Sequence, residues 1–116
     1  GNILVGNAPS NKILKVSPSG KISIIAKVDS SFSGVLQRII FDSTTKTVYF
    51  TVSDQLCCLV DGEPRVIYTH HAKIYGLATD RIGAIYLGGR GVTEKAGIYK
   101  LIVSKDKFQI LSKFVV

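Results

Sequence analysis

Gly76-Leu77-Ala78-Thr79-Asp80-Arg81-Ile82-Gly83-Ala84-Ile85-Tyr86-Leu87 reads as an apolar run closed by Asp, a turn through Gly, and a second run carrying Tyr. A third run, Ile98-Tyr99-Lys100-Leu101, follows. The same phrase stands earlier as Ile39-Ile40-Phe41-Asp42, Val48-Tyr49-Phe50 and Leu56-Cys57-Cys58-Leu59, at distances of 38, 37 and 42 residues. A period of roughly 40 residues with four short strands per unit is the sequence pattern of a β-propeller blade.

The change in spacing is local. Phe50 to Leu56 crosses a short turn, whereas Leu87 to Ile98 crosses one that is five residues longer. A partial copy precedes both: Ile3-Leu4-Val5, Ile13-Leu14-Lys15-Val16, the turn Ser17-Pro18-Ser19-Gly20, and Ile22-Ser23-Ile24-Ile25. The expected fold is therefore all-β, a β-propeller segment of about 2.7 four-stranded blades. The expected divisions are a blade part over 1–34 and blades over 35–74 and 75–116. The first blade is expected to lack its innermost strand.

Val, Ile, Tyr and Thr fill short runs punctuated by Gly, Asp, Asn, Ser and Pro, as short paired strands require. Helical periodicity longer than one turn is absent, as are an apolar run of membrane-spanning length and an opening signal-peptide pattern. The chain begins with Gly and contains no Met, the pattern of a processed, trimmed or incompletely observed polypeptide. Fewer than three blades leave two apolar sheet faces in water, so the remaining blades are expected from the same or another chain.

The net charge of +7 is divided as +3 over residues 1–34, zero over 35–74 and +4 over 75–116. Lys12, Lys15, Lys100, Lys105, Lys107 and Lys113 fall on third and fourth strands or their turns, where lysine keeps an edge unpaired and solvated. That placement argues for a soluble rim and against a nucleic-acid partner. Cys57 and Cys58 are adjacent in a strand, point to opposite faces and cannot readily bridge each other. One reads as core filler, the other as a thiol that is free or paired beyond this segment. His70 and His71 lack a nearby carboxylate and read as loop histidines. No hydrolase elbow, phosphate-binding loop or zinc motif is present, and Gly88-Gly89-Arg90-Gly91 reads as an inter-strand loop.

The phrase from Gly76 to Leu87 resembles the repeat of six-bladed propellers of the NHL and SMP-30/gluconolactonase type, in which a Gly-[Leu/Met]-x-x-Asp strand turns through Gly into an [Ile/Leu]-Tyr-Val strand. Arg38 to Phe50 and Asn2 to Val16 fit the same frame, so the resemblance covers nearly the whole chain. Ile85-Tyr86-Leu87-Gly88-Gly89-Arg90 with Gly97-Ile98-Tyr99 is similar to the insect ommochrome-binding proteins, secreted haemolymph proteins of moths that carry a tryptophan-derived pigment. That resemblance implies a secreted, non-enzymatic pigment-binding protein without a cofactor. Kelch propellers also place Gly-Gly after an apolar strand, but the chain lacks their Trp, and Val52-Ser53 replaces the pair in the other full blade. The lactonase branch carries Asp or Asn metal ligands before the Gly of the innermost strands. Tyr75 and Gln37 occupy that position here, which argues against a metal site and a lactone hydrolase.

Two function classes follow: a propeller that binds a small planar ligand at its channel mouth, and a scaffold that binds another protein through the same loops. For the first, the expected ligand-binding residues are Gln37, Tyr75, His70, His71, Arg90, Asn7 and Asn11, gathered with the turns Asn7–Asn11, Ser53-Asp54 and Gly88–Lys95. Tyr75 offers a planar ring and hydroxyl, Gln37 an amide, and Arg90 a guanidinium that can pair with a carboxylate. Asp42 and Asp80 are expected to bond to backbone N–H groups of the turns that follow them.

Overall fold

Runs of β-branched and aromatic residues, interrupted by turn formers, give eleven strands and no helix among the described residues. The computed structural model describes residues 1–7, 10–29, 32, 34–70, 72–89 and 97–103 and the backbone of 110–114. β1 (Ile3–Asn7), β2 (Lys12–Val16) and β3 (Ile22–Lys27) form a first sheet. β4 (Leu36–Asp42), β5 (Thr47–Val52), β6 (Gln55–Val60) and β7 (Glu63–Thr69) form a second. β8 (Ile74–Thr79), β9 (Ile85–Gly89), β10 (Ile98–Val103) and β11 (Ile110–Phe114) form the third. Each sheet is an antiparallel meander in which sequence neighbours are also ladder neighbours.

The turns follow from their residues. Asp61-Gly62 joins β6 to β7 with both φ angles positive, at 52° and 79°, the conformation that a two-residue hairpin of matching twist demands. Asp42 accepts the Thr44 N–H at 3.2 Å and the Thr45 hydroxyl at 2.6 Å. Asp80 accepts the N–H groups of Ile82 and Ala84, each at 2.9 Å, and the Tyr86 hydroxyl at 3.2 Å. Both aspartates thus tie the turn after an edge strand, as their place in the repeated phrase implies.

The second sheet is covered on both faces. Period-two alternation sends Tyr49 and its ladder partner Cys58 to one side and Phe50 with its partner Cys57 to the other. Phe50, Val52 and Cys57 pack with Ile13, Ala26, Val28 and Leu36 to form the core against the first sheet. Tyr49, Leu56 and Cys58 pack with Ile74, Ile85, Leu87, Tyr99 and Leu101 against the third. Removing each such large side chain from water stabilises the stack by about 1.5–3 kcal/mol. The outer face of the first sheet, by contrast, leaves Ile3, Val5, Ile22 and Ile24 exposed, and the third sheet leaves Ile98 and Ile102 exposed.

Gly88 and Gly89 belong to strand β9 instead of an inter-strand loop. They pair with Gly76 and Ile74, and a Cβ on Gly89 would lie 2.7 Å from the Lys73 carbonyl oxygen, so the strand end tolerates no side chain there. Arg90 and Gly91, the rest of that expected loop, lie outside the described residues.

Candidate functional site

Two β-bulges at matching places build the site. The β4–β5 ladder pairs Leu36 with Val52 and next Arg38 with Thr51, leaving Gln37 out of register. The β8–β9 ladder pairs Ile74 with Gly89 and next Gly76 with Gly88, leaving Tyr75 out in the same way. A bulge adds one residue to one strand and re-aims its side chain. Gln37 and Tyr75, from neighbouring sheets, consequently line one cavity of about 280 Å³ together with Gly34, Val35, Ser53 and Lys73.

Backbone contacts hold these walls. The Ile74 N–H donates to the Ser53 carbonyl at 2.9 Å, and Arg38 Nε donates to the Tyr75 carbonyl at 2.8 Å, so the bulge of the third sheet is tied to the second. The Arg38 N–H donates to Thr51 Oγ1 at 3.1 Å, giving the bulged β4 backbone an acceptor. Gly34 has φ +144°, and a Cβ on it would meet Ser53 Cβ at 2.9 Å; only glycine fits this wall.

Of the residues expected at the site, Gln37 and Tyr75 come together. Asn11 lies beside them but is committed to structure: with φ 50°, it donates Nδ2–H to the Gly34 carbonyl at 3.4 Å and accepts the Leu36 N–H at 3.2 Å. Asn7 is exposed at the end of β1, paired with Lys12, and does not line the cavity. His70 does not line it either. It is 4% exposed, Nδ1 lies 3.1 Å from the Tyr68 hydroxyl, and its ring meets Tyr99 edge-on at 4.7 Å. His71 and Arg90 lie outside the described residues.

Lys73 was not expected at the site. Its position follows from how the chain enters β8, two residues before the bulge, and no periodicity marks it. It supplies a cation where Tyr75 supplies an aromatic face and Gln37 a donor and an acceptor. Such a set can hold a flat molecule by stacking, orient it by an amide hydrogen bond and pair with its carboxylate.

Cys57 lies in the core between the first and second sheets. Burial, reinforced by neighbouring Cys58, pushes the Cys57 thiol up to about 12, so it stays protonated at neutral pH. Among the described residues, no group of three or more His, Cys, Asp or Glu side chains is placed to hold a metal ion. No described helix is long and apolar enough to cross a membrane. Compared with known proteins, the chain matches no family model and no curated sequence.

Proposed function

We propose that residues 1–116 are part of a six-bladed β-propeller of the NHL and SMP-30-like type, and that the protein binds a small planar organic acid without chemical turnover. The pairing of Gln37 and Tyr75 on one cavity, by the same bulge in two successive sheets, carries this reading. Three successive meanders, each packed face to face on the next, support the propeller part. The ligand stacks on Tyr75, hydrogen-bonds Gln37 and pairs its carboxylate with Lys73. The resemblance to ommochrome-binding proteins makes a kynurenine-derived pigment the particular case and a secreted protein the setting.

Xanthurenic acid titrated into the intact protein and followed by absorbance tests the reading. A saturable shift is expected, weakened at least about tenfold by Tyr75→Ala, the loss of one stacking contact and its burial. Lys73→Gln is expected to weaken the acid and to spare its amide. Equal, negligible absorbance changes in the wild type and in Tyr75→Ala would leave the cavity as a plug. A protein-binding scaffold would then be the better reading, with exposed Val35 on the cavity wall as part of its contact surface.

A further inference from the structure

The two bulges of the site are alike in backbone and unlike in the residue that follows. After Gln37 the second sheet carries Arg38, whereas after Tyr75 the third carries Gly76, its counterpart in the ladders. The repeated backbone is thus built equally well with no side chain at this position. An arginine here belongs to one seam, that between β4 and β8. Its side chain crosses the seam: Arg38 Nε donates to the carbonyl of Tyr75, the residue that the bulge leaves out of its own ladder, at 2.8 Å. β4 and β8 are edge strands of their sheets, and Arg38 is exposed where it spans them.

With Nε committed, the N–H groups on the two terminal nitrogens remain, and these form the fork that fits a carboxylate through two parallel hydrogen bonds. Among the described residues neither Arg38 nor Lys73 forms an ion pair. The acids of the two sheets stand elsewhere. Asp42 and Asp80 close their strands at the far end and are taken up by the turns there. Asp61 and Glu63 lie at that same end, in the β6–β7 hairpin. Asp54 is at the near end, in the turn beside Ser53, where its carbonyl accepts the His70 N–H at 2.7 Å. Two cations therefore flank Tyr75. Lys73 precedes it by two residues on the cavity wall, and Arg38 is bonded to its carbonyl from the neighbouring sheet.

We propose that the site takes a planar diacid, with one carboxylate on Lys73, the ring on Tyr75 and the second carboxylate held by both arms of the Arg38 fork. Arg38 is then the specificity-determining residue, since a monoacid paired with Lys73 leaves the fork in water. The ligand joins the second sheet to the third by its two ends. The proposal rests on the ligand-binding reading and adds a second acidic group to it.

Calorimetric titration of the intact protein with naphthalene-2-carboxylate and with naphthalene-2,6-dicarboxylate tests it. The dicarboxylate is expected to bind at least about tenfold more tightly, the worth of one charge-assisted hydrogen-bonded pair. Arg38→Gln is expected to bring the ratio of the two affinities close to one. Arg38→Lys, which keeps the charge and lacks the fork, is expected to restore only part of it. The ratio is the decisive quantity because Arg38 also ties the Tyr75 bulge. If it only positioned Tyr75, its replacement would weaken both ligands alike and leave the ratio unchanged, which would overturn the proposal. The Arg38 Nε–Hε resonance of the wild type reads the same contact without a substitution, and is expected to shift with the dicarboxylate and not with the monocarboxylate. Equal binding of the two by the wild type would overturn the diacid and leave the monoacid reading standing. Binding of neither would overturn both.

Discussion

Asp80 shows how a single side chain sets a turn. Partial desolvation pushes its carboxyl up, but the N–H groups of Ala84 and Ile82, the Tyr86 hydroxyl and the Lys100 charge outweigh that effect and hold it below the usual value of 3.8. A carboxyl lowered by folding stabilises fully above its unfolded value, and the contribution is lost as pH falls through the folded value. Urea midpoints of wild type and Asp80→Ala should therefore differ at pH 7 and converge as the pH is taken well below 3.8. An unchanged gap at low pH would mean that the carboxylate charge is not what holds the turn. These aspartates were legible in the sequence because their partners lie within six residues, inside the repeated phrase itself. His70 was not. Its place in a loop pointed to the channel mouth, but Tyr99, on a strand of the next sheet, closes over it. Such a contact leaves no trace in local pattern.

At the scale of strands, β5 carries the most weight, since Tyr49 and Phe50 anchor separate cores from adjacent positions. Phe50→Ala should cost about 3–5 kcal/mol, the range for emptying a fully buried aromatic site, measured as the shift in urea unfolding free energy. A loss under about 1 kcal/mol would mean that the first two sheets do not pack as described. The strands themselves were readable from apolar runs between turn formers. The bulges were not, because a bulge is a property of the pairing and appears only when two strands are laid together. Gln37 and Tyr75 were reached instead through their place before the residue that opens the Gly-x-x-x-Asp frame. Lys73 had no such marker.

At the scale of the whole molecule, the described residues couple neighbouring sheets through the two cores on either side of β4–β7. In such a stack, stability is close to a sum of units and of the contacts between adjacent units, so the ends open before the middle. Cys57 and Cys58 turn this into something that can be timed. They are consecutive residues, both fully buried, yet one is sealed by the first sheet and the other by the third. Each therefore reports the parting of a different interface. With single variants Cys57→Ala and Cys58→Ala, the remaining thiol should react with a disulfide reagent at a rate set by its own interface. Cys57 is expected to react faster, because the first sheet has one strand fewer than the third to hold it in place. Identical rates would mean that the stack opens as one body. A pair of neighbouring atoms thus serves as two independent clocks, one for each side of the same strand.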